Sequence, residues 1–304
     1  MKTRPSRFYA ILLSVVLGVL PAGLLNAQSR GTFVWKVRIL GSDFYLAGSV
    51  HAGKPEYYPL PDAFQEAYDH SDRVVLELKE NFDTLQNMIF DYGEKDRLGE
   101  EEWLNNQLDP EELGKLEDLF KGEEDVLQRL YRYKGWMLNM AIAGRKYRLV
   151  GYDPKLGIDR HFNKRATEDG KEITGMESIE TQLRLFESDA SPEIQLQMVK
   201  AALARVEDNA LSEKPMIDAY YTYNPAQFES ALLGLYDFSN PRVKKAYEII
   251  FTDRNRAWVE KMKELAAVEP STYFMLVGCG HYFGPGNIRE LLEAEGFSVE
   301  QLDR

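Results

Sequence analysis

The sequence predicts an α/β fold: a central mixed sheet built from two similar strand-loop-helix-strand halves, with large helical insertions at about 82–146 and 180–265. Three observations predict it. Short apolar runs of strand character alternate with longer stretches of helical periodicity, the pattern that layers helices on a sheet. Two of those runs, far apart in the chain, end on one pattern, Gly48-Ser49-Val50-His51 and Gly278-Cys279-Gly280-His281. No Ser/Gly/Pro-rich linker or low-complexity tract divides residues 28–304, which therefore read as a single domain.

In chain order, the first 27 residues read as an export signal. Lys2, Arg4 and Arg7 give a basic start, Tyr9 to Leu20 an apolar stretch short for a bilayer span, and Leu25-Asn26-Ala27 a cleavage site. Retention as an anchor is the alternative. Cleavage predicts a periplasmic or secreted protein with no stable membrane span. Phe33 to Ile39 and Asp43 to Leu46 then read as a hairpin turning at Gly41-Ser42 and leading into the first His loop. Pro59-Leu60-Pro61-Asp62 starts a helix that runs to about His70. Arg73 to Leu78 is a buried strand whose apolar run ends in Glu77.

Phe82 to about Arg145 is helical, with Leu104, Leu108, Leu113, Leu116 and Leu119 at helix-like spacing. Arg148 to Asp153 reads as a strand, Ile158 to Asp169 as a helix, and Lys171 to Met176 as a strand running into Glu177. Glu180 to Leu265 is helical again. Tyr273 to Val277 forms the strand before the second His loop, followed by a helix over Asn287 to Ala294 and a last strand over Ser298 to Leu302.

The formal net charge is -12, and losing a segment with three positive and no negative charges takes it to -15. A chain this acidic, without a basic run, repels nucleic acid and anionic surfaces. A peptide or small molecule is the expected partner, and the oligomeric state is left open. Cys279, the single cysteine, cannot form an internal disulfide and excludes a multi-cysteine zinc site.

Ligands in α/β folds gather outside the carboxyl ends of the strands, which puts His51, Glu77, Glu177 and His281 on one rim. Two imidazoles and a carboxylate suit a borderline divalent metal with a position open for water. Without an ion, the histidines are hydrogen-bonded loop residues and Glu77 a salt-bridge partner, with Arg254 a candidate cation. Gly48 and Gly278, three residues before each His, together with Gly280, remove side chains where an ion or ligand approaches the backbone. Arg254 suits the orientation of a carboxylate or an oxyanion. His70 and His161 read as surface residues. Cys279 and the tyrosines at 220, 221, 223 and 236 read as packing.

These residues resemble the TraB/PrgY/GumN family, which is related to the Tiki metalloproteases and more distantly to erythromycin esterase and ChaN haem-binding proteins. The resemblance is carried by Leu46-Ala47-Gly48-Ser49-Val50-His51, Val74-Val75-Leu76-Glu77-Leu78, Gly157-Ile158-Asp159, Gly175 to Gln182, Arg254-Asn255, and Val277 to His281 with Phe283-Gly284. It implies His51 and His281 as metal ligands or catalytic residues, Glu77 as a ligand or general base, and Arg254 and Glu177 as supporting groups. It further implies metal-dependent peptide cleavage, with manganese or cobalt favoured and zinc the remaining divalent choice. The resulting expectation is a secreted metal-dependent, peptidase-like hydrolase. The alternative is a haem-, small-ligand- or peptide-binding protein using the same rim. Cys279-Gly280 departs from the small residues, often alanine, that usually precede the second His.

Overall fold

A hairpin opens the sheet: Val34–Ile39 (β1) and Ser42–Ser49 (β2) pair antiparallel with Ile39 opposite Ser42. Its turn lies on Leu40 and Gly41, one residue earlier than the sequence suggests. Both have positive φ, 48° and 94°, the two-residue geometry that matches the twist of the strands it joins. The computed structural model describes residues 32–95, 97–187, 192–204 and 214–303, and the expected export signal at 1–27 lies outside them.

The chain continues through Asp62–Asp69 (α1), Arg73–Leu76 (β3), Phe82–Lys95 (α2), Pro110–Leu119 (α3), Glu124–Leu130 (α4), Gly135–Leu149 (α5), Ile158–Glu168 (α6) and Glu172–Gly175 (β4). Ile179–Glu187 (α7), Pro192–Ala204 (α8), Lys214–Tyr221 (α9), Pro225–Leu233 (α10), Pro241–Tyr247 (α11) and Asp253–Val268 (α12) lead to Thr272–Gly278 (β5), Ile288–Ala294 (α13) and Val299–Gln301 (β6). Both expected helical insertions are present. Among the described residues no helix is long and apolar enough to cross a membrane.

One expected strand is absent. Residues 148–153 do not join the sheet; α5 runs on to Leu149 and stops at Gly151, whose φ is 83°. Tyr152 N–H donates to the Tyr147 carbonyl at 2.9 Å and Gly151 N–H to the Arg148 carbonyl at 3.0 Å. This pair of bonds closes a helix on a left-handed glycine. Beyond it only an isolated bridge joins Asp153 to Gly53, in the loop after His51.

The six strands lie in the order β4-β3-β5-β2-β1-β6. β2 pairs parallel with β5, and β5 and β4 each pair parallel with β3. β1 is antiparallel to both of its neighbours. From β2 the chain crosses through α1 past β5 to β3, while from β5 it crosses through α13 past β2 and β1 to β6. The two crossovers leave adjacent strands in opposite directions. Because such connections are right-handed, their helices cover opposite faces. β5 shows both faces: Phe274 meets Tyr68 of α1 and Phe162 of α6, while Tyr273 donates its hydroxyl to the Leu265 carbonyl of α12. The gap between the carboxyl ends of β2 and β5 is therefore the topological switch point, where open α/β sheets bind ligands.

Apolar side chains form two clusters. One surrounds the sheet and includes Phe44, Leu46, Val75, Phe162, Met262 and Met275. The other, including Leu116, Phe120, Trp136, Leu183 and Val199, is built from helices of the two insertions.

Candidate functional site

Parallel pairing of β2 with β5 sets Ser49 opposite Gly278, so the two Gly-x-x-His motifs run side by side with a one-residue stagger. His51 follows the end of β2 by two residues. His281 sits in a tight turn over Cys279–Tyr282 directly after β5. Pairing of β3 with β4 continues past the strands, with Glu177 N–H donating to the Glu77 carbonyl at 3.1 Å, so the two glutamates stand next to each other at the same sheet end.

The side chains converge on Gly278. A Cβ placed there would lie 3.0 Å from Glu77 Oε1, 3.7 Å from His281 Cδ2 and 3.8 Å from His51 Nε2. Hydrogen at this position leaves the space the three groups share. The other two glycines singled out in the sequence serve packing. A Cβ on Gly48 would meet Cys279 Sγ at 2.7 Å, and one on Gly280 would meet the Phe251 ring at 2.8 Å. Cys279 is buried against Gly48.

Glu77 accepts from Gly278 N–H at 2.7 Å, from Arg254 Nη2 at 2.9 Å and from Gln182 Nε2 at 3.0 Å. Burial opposes its ionisation, but charge interaction with His281, Arg254 and His51 and the Gly278 N–H outweigh it and hold the pKa at about 2. Arg254 is clamped on both glutamates. Its Nε and Nη2 meet the two Glu177 oxygens, the former at 3.2 Å, in a bidentate fork. Nη1 donates to the Ile250 carbonyl at 3.0 Å and to His281 Nε2 at 3.2 Å. The π-turn Glu248–Thr252, immediately before α12, places both Ile250 and the arginine. Such turns recur at functional sites.

His281 is 3% exposed, between Trp258 and Phe251. Asn255 fixes its tautomer. The Asn255 amide nitrogen donates to the Gly286 carbonyl at 2.9 Å, which turns Oδ1 toward His281 Nδ1 at 2.6 Å. Nδ1 therefore carries the proton and Nε2 the lone pair. Burial, aided by the positive charge of Arg254, pushes the His281 pKa down to about 3, so the ring is neutral at physiological pH.

His51 behaves in the opposite way. Its side chain is 70% exposed and its Nδ1 lies 3.4 Å from Asp159 Oδ1. The Asp159 charge raises its pKa to about 9, leaving Nε2 on the side toward Gly278. The loop is braced from α9: Tyr220 donates its hydroxyl to the Gly48 carbonyl at 2.5 Å and Tyr221 to the Ala52 carbonyl at 3.1 Å. Ile158 N–H also bonds the Val50 carbonyl at 3.1 Å, tying α6 to the His51 loop.

The structure thus brings His51, Glu77, Glu177, Arg254, His281 and Gly278 together. It places Gly48 and Gly280 in the packing behind them. His70 is exposed, as expected, but His161 is half-buried, tilted against Tyr58 and edge-on to Phe162. Sequence reasoning passed over Asp159, Asn255 and Gln182 as site residues. All three stand inside the quoted Gly157-Ile158-Asp159, Arg254-Asn255 and Gly175 to Gln182, but their roles depend on tertiary partners.

Two imidazoles and a carboxylate around one point have the donor chemistry of a divalent-metal site. The fixed His281 tautomer, with Nε2 as acceptor, is what a ligating histidine needs. Arg254 Nη1 occupies that lone pair, and among the described residues no three His, Cys, Asp or Glu side chains stand as a closed ligand set. The residues fit an ion on condition that the guanidinium yields His281 Nε2.

A family model described as the TraB/PrgY/gumN family matches residues 33–301. Two curated relatives are similar along most of their length. Uncharacterized protein YbaP of Escherichia coli strain K12 is 24% identical over 251 residues, 82% of this chain and 87% of that protein. Uncharacterized protein YbaP of Shigella flexneri is 24% identical over 250 residues, again 82% and 87%. No solved structure matches.

Proposed function

Because the chain belongs to the TraB/PrgY/gumN family, we propose that its strand-end rim is the site of a peptidase-like hydrolase holding a divalent manganese, cobalt or zinc ion through His51, Glu77 and His281. The observation that carries this reading is the convergence of those three side chains on the space kept open by Gly278. The reading includes export on residues 1–27 and action in the periplasm or outside the cell.

The ion would supply Lewis-acid polarisation of a scissile carbonyl and lower the pKa of a water. The protein's own groups supply the rest. Arg254, held by Glu177, keeps Glu77 ionised and stands where negative charge develops on a carbonyl oxygen. His51, with its proton shared toward Asp159, serves as the exposed proton carrier when it is not ligating. Asn255 keeps the His281 lone pair aimed at the rim.

His51 is protonated at neutral pH, so ligation must displace a proton. Calorimetric titration with manganese in buffers of different ionisation enthalpy should therefore show saturable uptake with about one proton released, and His51→Ala should abolish both uptake and peptide hydrolysis. No uptake of manganese, cobalt or zinc, with activity intact in His51→Ala, removes the proposal. A metal-free reading is favoured by one contact, Arg254 Nη1 on His281 Nε2, with the guanidinium as the resident cation. Hydrolysis undiminished by chelator would select it.

A further inference from the structure

Beside the His51 loop lies an open pocket of about 340 Å³ lined by Tyr58, Lys155, Leu156, Arg160, His161 and Lys164. In a chain of net charge -12, three of its six lining residues are cationic and none is acidic. Arg160 is built in. Its guanidinium packs over the Phe82 ring at 4.1 Å, its Nη2 reaches Asp83 only at 3.9 Å, and its buried Nη1 has no hydrogen-bond partner. The side chain as a whole stays 28% exposed, which leaves it within reach of a ligand's acceptor. Lys164 is engaged with Glu168 at 3.7 Å. The opposite wall is apolar: Tyr58 spends its hydroxyl on the Leu156 carbonyl at 2.9 Å and turns its ring toward His161.

The pocket's lining residues flank the segment that packs on the His51 loop. Leu156 precedes Gly157, where a Cβ would come 2.8 Å from the His51 carbonyl oxygen, and Arg160 follows Asp159, the partner of His51. A residue whose carboxylate meets Arg160 and Lys155 while its side chain lies on Tyr58 and Leu156 would thus present its own peptide bond toward His51. We infer that this pocket is a subsite for the free carboxylate of a substrate's C-terminal apolar or aromatic residue. The inference rests on the hydrolase reading for its catalytic meaning, but the binding it requires does not.

The test uses the mature chain with ¹³C-labelled histidine and follows the His161 ring signal while N-acetyl-L-tyrosine, its amide, or N-acetyl-L-glutamic acid α-amide is added. N-acetyl-L-tyrosine should shift the signal saturably at concentrations about tenfold or more below the amide, since charge-assisted bonds are lost without the carboxylate. Arg160→Gln should weaken it by about tenfold, and Lys155→Gln, at an exposed position, by a smaller factor in the same direction. Binding should be unchanged by chelator, which separates this result from the fate of the metal reading. Equal affinity for acid and amide, tighter binding of the side-chain carboxylate probe, or displacement by inorganic phosphate at lower concentration than the probe itself overturns the inference.

Discussion

At the residue scale, the two histidines share a sequence motif and differ in state because their surroundings differ. Asp159 charges His51, while burial and Arg254 keep His281 neutral. Asp159→Asn should bring the His51 pKa from about 9 down toward the usual value near 6.5, read from its ring signal by NMR titration; a His51 that still titrates near 9 contradicts the pairing. Gly278→Ala places a methyl 3.0 Å from Glu77 Oε1. It should lower metal affinity by about tenfold or more while changing the urea midpoint little, a split that a purely structural glycine would not give. The histidines, Glu77 and Gly278 were legible in the sequence because each stands at the end of an apolar run. Asp159 was not, since its meaning comes from a partner on β2's loop that no local pattern announces.

At the element scale, the site depends on how α12 begins. The π-turn before Asp253 aims Arg254 across the ends of β3, β4 and β5 at once. Arg254→Gln leaves two buried carboxylates without their cation, so it should cost about 3–5 kcal/mol in denaturant unfolding; a loss below about 1 kcal/mol would mean that the clamp is no more than a surface-type pair. The salt bridge was foreseeable as an alternative for Glu77, but the bidentate grip on Glu177 was not, because it joins residues 77 positions apart. Strand reading failed at 148–153 for a related reason. Leu149-Val150 has strand-like composition, yet α5 runs through Leu149 and Gly151 ends it in a left-handed turn. Where a strand's neighbours were themselves strongly patterned, as for β2, β3 and β5, local and tertiary preferences agreed.

At the scale of the whole molecule, two parallel strands with opposite crossovers put distant ends of the sequence at one switch point. The α/β class and both helical insertions follow from periodicity alone; the separate apolar cluster inside the insertions does not, because a leucine stripe leaves its packing partner unspecified. Acid should weaken the fold through the site. Folded pKa values of about 3 for His281 and about 2 for Glu77 lie below the ordinary 6.5 and 4.5. Their contributions are therefore present above those ordinary values and are lost as pH falls through each interval. His51, raised to about 9, acts in reverse and loses its contribution as pH rises through that value. Urea midpoints should therefore peak near pH 6.5 and decline as pH rises toward about 9, and Asp159→Asn should remove the decline on the alkaline side.

The central claim is that His51, Glu77 and His281 form one ion site from which Arg254 must withdraw. Anomalous diffraction from crystals soaked in manganese tests it most directly. The account predicts a single peak within bonding distance of His51 Nε2, a Glu77 oxygen and His281 Nε2, with Arg254 Nη1 no longer bonded to that histidine. Arg254 still on His281, with no peak at Gly278 or with manganese bound elsewhere, would contradict it.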